Sequence, residues 1–322
     1  PALYSVLFVM LVQGLSGIAK DLTKTGAKSA VKLLDKNEHQ SQLFRWVAFL
    51  TGSKNAIKGL GFFLGGALLA LLGFTSALIA LGGLLVVVLA GVWLAPQPQQ
   101  ELVIGKSKTR MRELFSTDSS VNTLAAARTF LFGARDTWFV VALPVFLYTA
   151  LNTEFQLSPA HAFFVVGTFL ATWTIAYGFV QGMAPVWLKR ARQSVDSSRA
   201  AVKFWTAAVT LVMLSLAVLG WLTFAMGNAP EDRMSVVVLI VGLLVFGAVF
   251  AICSSLHSYL ILAFTSQSRA TMDVGFYYMA NAAGRLLGTL LSGISYQLGG
   301  LVCSLFVAAL MAGISYLISR RL

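Results

Sequence analysis

ALYSVLFVMLVQGLSGIAKDLTKTGAKSAVKLLDK, residues 2–36, runs from an apolar stretch of membrane length straight into lysines at positions 20, 24, 28, 32 and 36. One lysine per turn keeps all five ammonium groups on one face of a continuous helix. A spanning helix needs about 20 predominantly apolar residues at about 1.5 Å each, so this span ends near Lys24. Lys28, Lys32 and Lys36 then fall at the membrane–water boundary, where they anchor orientation. Lys20 and Lys24 lie nearer the apolar layer, in reach of a substrate path. Asp21, one turn from Lys24, is placed to neutralise part of the row.

The rest of the chain repeats the theme. Hydrophobic residues make up 57% of it and charged residues 11%, with a mean hydropathy of +0.79. Soluble domains carry about 25% charged residues, so lipid must solvate most of this chain. Pro1 stands at the mouth of an apolar span with no short apolar region and cleavage site before it, which reads as a truncated N-terminus rather than a signal peptide. Apolar runs of spanning length predict nine helices, roughly 2–24, 45–72, 74–94, 124–149, 161–187, 204–226, 234–260, 274–298 and 300–319. No period-2 alternation suggests barrel strands. Cys253 and Cys303 each lie inside an apolar run and read as small buried hydrophobes.

The formal charge of +12 raises nucleic acid as a partner, but the positions of the charges favour the lipid bilayer. Eighteen of the 24 basic residues fall on one side of the expected spans, in Lys20–Arg45, Lys106–Arg112, Lys189–Lys203, Arg269 and Arg320-Arg321. Arg233 alone falls on the other side, and five lie within spans. By the positive-inside rule the basic side is cytoplasmic, which places the C-terminus there and no nucleic acid in the account. Gly105-Lys106-Ser107 resembles the end of a phosphate-binding loop, yet Gln100 stands where the first glycine belongs and no strand precedes it.

The five cations within spans are Lys54, Lys58, Arg128, Arg135 and Arg285. Lys54 and Lys58 share a helix face that Thr51 and Asn55 extend. Arg128 and Arg135 are two turns apart, with Asp136 adjacent, and Arg285 lies on a stripe with Tyr278, Asn281 and Thr289. A cation at the centre of a membrane helix costs at least about 2.5–3.5 kcal/mol, so each needs a partner or a wet cavity. Asp136 is the one acid securely inside a span and can neutralise one of the five. The remainder predicts a positive cavity for an anion of several charges. Arginine suits phosphate-like oxyanions through its two-pronged fork, and lysine adds a movable point charge. Gly61-x-x-x-Gly65 and Gly284-x-x-x-Gly288 read as close-approach motifs. His257 reads as interfacial, and His39 and His161 carry no pattern. No His, Cys, Asp or Glu spacing reads as a metal site, and no cofactor is expected.

Six spans after a basic segment, with three before it, resemble the major facilitator superfamily. LVQGLSGIAK is similar to that family's fourth helix, and GLGFFLGGALLALLGF to its glycine-rich fifth-helix signature, with Phe62 where antiporters usually carry proline. The implied fold is an all-α integral membrane protein with nine of an expected twelve transmembrane helices present. Residues 1–95 would be the last three helices of the N-terminal half-bundle, 96–120 a cytoplasmic linker, and 121–322 the C-terminal six-helix half-bundle. SGIAKDLTK, AKSAVKLL, LFRWVAFLTGSKNAIKG and FLFGARDTWFVVALPVF resemble the organoarsenical efflux branch, the ArsJ type. That resemblance implies a bacterial inner-membrane exporter of 1-arseno-3-phosphoglycerate that confers arsenate resistance. It also implies a functional link to the cytosolic glyceraldehyde-3-phosphate dehydrogenase that makes this ester.

From the residues themselves, the substrate-binding candidates are Lys20, Lys24, Lys54, Asn55, Lys58, Arg128, Arg135, Asn281 and Arg285. Asp21 and Asp136 are the ion-pairing or proton-coupling candidates. An organophosphate/phosphate exchanger would use the same cavity. A membrane-embedded lipid-phosphate enzyme would need a carboxylate pair, a histidine or a metal site, and the spans supply none of these together, so an enzyme is not expected.

Overall fold

The computed structural model describes residues 2–34, 40–95, 116–226 and 232–322. They form eight helices: α1 (Ala2–Leu34), α2 (Gln40–Leu94), α3 (Ser119–Phe139), α4 (Ala142–Thr153), α5 (Pro159–Trp187), α6 (Val195–Ala225), α7 (Arg233–Phe264) and α8 (Ala270–Ser319). The described residues contain no strand.

Local chemistry sets the helix ends. The side chains of Asp118, Ser158 and Asp232 each accept from a backbone N–H in the first turn of α3, α5 and α7, and Pro159 supplies the pre-set φ of a first helical residue. α2 is broken at Gly73 (φ 72°) and α8 at Gly299-Gly300 (φ 61° at Gly300), positive angles that glycine adopts without a Cβ penalty. Both breaks fall where the apolar pattern divides one span from the next. Between α3 and α4 the expected single span is interrupted instead. The N–H groups of Val141 and Ala142 leave the helical ladder there and donate to Ser292 Oγ of α8 at 3.3 and 3.1 Å.

Six stretches among the described residues are long and apolar enough to cross a membrane: Leu71–Leu94, Ser119–Thr153, His161–Trp187, Val195–Thr223, Arg233–Phe264 and Gln267–Ser319. The expected count of nine is not confirmed by these six, in which the pair joined at Gly299-Gly300 counts as one stretch. α1 also continues helical to Leu34, ten residues past the expected end of its span. The linker expected over 96–120, and with it Gly105-Lys106-Ser107, lies largely outside the described residues, as do Lys36 and His39.

Two apolar cores bracket a polar layer. One gathers Trp138, Trp173, Tyr177, Phe246 and Phe250, with Trp173 Nε1 donating to Leu243 O at 3.0 Å. The other lies toward the basic end of the bundle and joins Leu43, Phe44 and Val47 of α2 to Leu256 and Tyr259 of α7 and Tyr277 of α8. Phe44 stacks on Tyr259 there at 4.8 Å. His257, expected at an interface, is fully buried in α7, because the helices around it close over this end of the bundle.

Two seams bring backbones together. A methyl at Gly284 would run into Thr129 O, and one at Gly288 would stand 2.5 Å from Gly133 O, so α8 packs directly on α3. A methyl at Gly52 would stand 2.5 Å from Gly178 O and 2.6 Å from Gly182 N, which sets α2 directly on α5. Gly61 and Gly65 face open space among the described residues, so the crossing of α2 uses Gly52 and Gly59 and not the expected pair. Lodging an extra methyl where the neighbour is backbone costs about 1–3 kcal/mol or more. Gly284→Ala and Gly52→Ala are expected to lower the apparent Tm of detergent-solubilised protein, and Gly61→Ala to leave it unchanged, in a tryptophan-fluorescence melt.

Candidate functional site

Arg128 and Arg135 lie about 14 and 24 Å along α3 from Ser119, which puts both in the polar layer between the two cores. Around them is a cavity of about 220 Å³. Its lining brings together all nine expected binding residues: Lys20 and Lys24 of α1, Lys54, Asn55 and Lys58 of α2, Arg128 and Arg135 of α3, and Asn281 and Arg285 of α8. Asp21 lines it too. The volume is below the roughly 300–1,000 Å³ of drug-sized ligand sites and suits a small metabolite. Of the five lysines in the α1 row, Lys20 and Lys24 face this cavity, and Lys24 Nζ donates to Asp21 Oδ1 at 2.6 Å.

Asp136 stands behind the lining, 1% exposed, and binds two guanidinium groups. Arg135 donates to Oδ1 through Nε at 2.7 Å and Nη2 at 2.6 Å, and Arg285 donates to Oδ2 through Nε at 2.9 Å. One negative charge still neutralises one positive charge, as expected, but two guanidinium groups share it. Arg135 and Arg285, from two different helices, converge on it because Gly288 lets α8 approach to within contact of the Asp136 Cβ. Asp136 is also joined by a second buried acid. Asp273, 2% exposed at the start of α8, accepts from Thr265 Oγ1 and pairs with Arg269 at 3.5 Å, away from the cavity.

Arg128 has no such partner. It is 4% exposed, and among the described residues no carboxylate lies within ion-pair distance. Neutral groups hold it instead. Nη1 donates to Ser254 Oγ at 3.1 Å and Ser254 O at 3.3 Å, and Nε donates to Asn281 Oδ1 at 3.3 Å. The Phe132 ring lies 3.8 Å from its guanidinium carbon and the Tyr277 ring 4.9 Å. Such faces stabilise a cation by about 0.5–2 kcal/mol, which lowers the burial cost without neutralising the charge.

The cavity thus has seven cations in its wall against two carboxylates, Asp21 in the wall and Asp136 behind it, a formal excess of five. No group of three or more His, Cys, Asp or Glu suited to a metal occurs among the described residues. Chemically, the arrangement offers fixed guanidinium forks on α3 and α8 facing movable ammonium groups on α1 and α2.

Sequence reasoning missed the neutral residues that hold these charges. Gln181 of α5, fully buried, accepts from Asn55 Nδ2 at 2.6 Å and donates to Ser254 Oγ at 3.2 Å. Ser258 of α7 meets the Tyr277 hydroxyl at 3.4 Å. The available signal was an amide alone among apolar residues in GFVQGMAP, and a serine pair in AICSSLHSY.

The fold matches a crystal structure of a bacterial homologue of the iron transporter ferroportin in an outward-facing state. The match has a TM-score of 0.65 over 100% of this chain and 74% of that one, at 16% sequence identity. No family model matches the sequence, and no curated protein does. The described residues thus combine six stretches long and apolar enough to cross a membrane with a helical fold shared with that protein.

Breaking a buried ion pair by removing one partner costs about 3–5 kcal/mol, whereas replacing a buried charge that has no counter-charge by an apolar side chain relieves its desolvation cost. Asp136→Asn is expected to lower the apparent Tm clearly, and Arg128→Met to leave it unchanged or raise it. The two melts are run side by side in one detergent.

Proposed function

We propose that the chain is a membrane transporter that exports an organic arsenate/phosphate ester, 1-arseno-3-phosphoglycerate, from the cytoplasm by alternating access and so confers arsenate resistance. The observation that carries this is Arg128, a buried guanidinium with no carboxylate partner among the described residues, set in a wall that holds six more cations. A cation is kept in such a place when its partner arrives from outside. The ester bears a phosphate and an arsenate monoester, two oxyanions for one cavity, which suits a divided wall of guanidinium forks and lysines. Lys54 and Lys58 approach from the N-terminal helices, with Arg128, Arg135 and Arg285 from the C-terminal ones, so a bound anion bridges them. Asp136 has both oxygens occupied by arginine, which supports a positioning role over that of a proton carrier.

In the same proposal the basic end is cytoplasmic, the membrane is the bacterial inner membrane, and the dehydrogenase that makes the ester is a functional partner. The apolar plug of Leu43, Phe44, Val47 and Tyr259 lies toward that end, so this is a state closed to the cytoplasm. An anion of about −3 leaving a negative-inside cell gains roughly 7 kcal/mol per 100 mV, enough for uniport without a coupling ion. Exchange against phosphate is the second reading, favoured by the same wall. The neighbour's named cargo is iron, and a wall with five excess positive charges repels a metal cation.

The test uses inside-out vesicles with the ester generated from labelled arsenate by the dehydrogenase. Uptake that needs the dehydrogenase is expected in wild type. Hydrogen bonds between charged groups contribute about 1.5–3 kcal/mol, so Lys58→Ala and Arg285→Ala should each lower uptake by about ten- to a hundredfold. Equal uptake of free arsenate without the dehydrogenase would contradict ester export, and phosphate-driven counterflow would favour the exchanger.

A further inference from the structure

The α2–α5 seam and the buried cation are joined by one amide. Gln181 uses both ends of its side chain: Oε1 accepts from Asn55 Nδ2 across the seam at 2.6 Å, and Nε2 donates to Ser254 Oγ at 3.2 Å. Ser254 Oγ also accepts from Arg128 Nη1 at 3.1 Å. A hydroxyl oxygen has two lone pairs, so these two donors fill its acceptor capacity and fix its position. Asn55, Gln181, Ser254 and Arg128 therefore form an unbroken chain from α2 through α5 and α7 to α3.

Asn55 and Gln181 meet where the backbones are closest. Asn55 is flanked by Ala56, whose N would stand 2.5 Å from a methyl on Gly178, and Gln181 is flanked by Gly182, whose N would stand 2.6 Å from one on Gly52. Backbones packed so closely have no room to slide by degrees, so the seam is either closed or parted. An oxyanion reaching Arg128 forms a charge-assisted hydrogen bond, roughly twice as strong as the neutral one from Nη1 to Ser254, and takes over that N–H. Ser254 then loses one of the two donors that hold it and keeps Gln181 and the Tyr177 hydroxyl as side-chain partners, so the acceptor for Gln181 is held more loosely.

We propose that Gln181 is a positioning residue that couples arrival of the anion at Arg128 to the opening of the α2–α5 seam. This rests on the reading of the cavity as an anion site. It assigns to Gln181 no contact with the anion itself. Loss of its amide uncouples the seam from the site while leaving affinity for the anion nearly intact. A purely structural amide would have the reverse signature, a change in stability with the response to ligand preserved.

Spin labels at Gln42→Cys and Val186→Cys, which line one groove beside the seam, report its width in a Cys253→Ala, Cys303→Ala background. The distance distribution is measured by pulsed electron paramagnetic resonance without ligand and with 3-phosphoglycerate as the probe. Without ligand, Gln181→Leu is expected to shift the closed-to-parted ratio by at least about fivefold, the lower end of ordinary coupling. With the probe, the wild-type distribution should shift, and those of Gln181→Leu and Ser254→Ala should not respond. Equilibrium binding of the probe to Gln181→Leu should stay within about fivefold of wild type. Unchanged ligand-free distributions together with an intact response would overturn the coupling role. Binding lost along with the response would make Gln181 a ligand instead. If wild type itself fails to bind the probe, the anion reading falls, and the ligand-free comparison still decides whether Gln181 holds the seam.

Discussion

Asp136 sits where α3 and α8 approach too closely to admit a methyl group, and there each of its oxygens takes an arginine. Without that carboxylate, Arg135 and Arg285 would be two like charges forced together at a glycine seam, repelling each other in a medium of low dielectric constant. With it they become a rigid double fork, one guanidinium from each helix, turned toward a common cavity. The glycines are as necessary as the charge: Gly133, Gly284 and Gly288 bring the helices near enough for one carboxylate to span them. Arg135 and Arg285, on the α3–α8 side of the cavity, are positioned through this contact.

The opposite wall is built on a different principle. Lys54 and Lys58 are carried on α2, which rests on α5 through Gly52, Gly59 and Gly178. Long flexible ammonium stems there face planar guanidinium groups held in place. A transporter needs this asymmetry, because a site with two rigid walls would resist the change in their separation that alternating access demands. Arg128 belongs to the rigid wall yet has no acid beside it among the described residues, and neutral acceptors and aromatic faces keep it in place and offset part of its burial cost.

Much of this was legible in the chain because it is written in local periodicities. The four-residue step from Lys54 to Lys58 and the seven-residue step from Arg128 to Arg135 put charges on helix faces that could only point inward, and the structure brings them to one cavity. Glycines at 73, 299 and 300 mark the breaks the apolar pattern implied. What stayed hidden depends on which faces meet. Arg285 reaches Asp136 across 149 positions, and no helical spacing encodes that. Gly61-x-x-x-Gly65 carries the close-approach pattern but faces outward, whereas Gly52 and Gly59, seven apart, make the crossing. His257 and Gln181 are buried by neighbours that hydropathy does not identify.

The central claim is that the excess positive charge of the cavity selects a multiply charged anion. Isothermal titration of the purified protein with 3-phosphoglycerate, at two salt concentrations, tests it most directly, with a divalent transition-metal ion as the competing ligand. The account predicts that the phosphoester binds, that its affinity falls steeply as salt screens the lysine wall, and that the metal ion shows no saturable heat. Saturable binding of the metal ion, with none of the phosphoester, would contradict it.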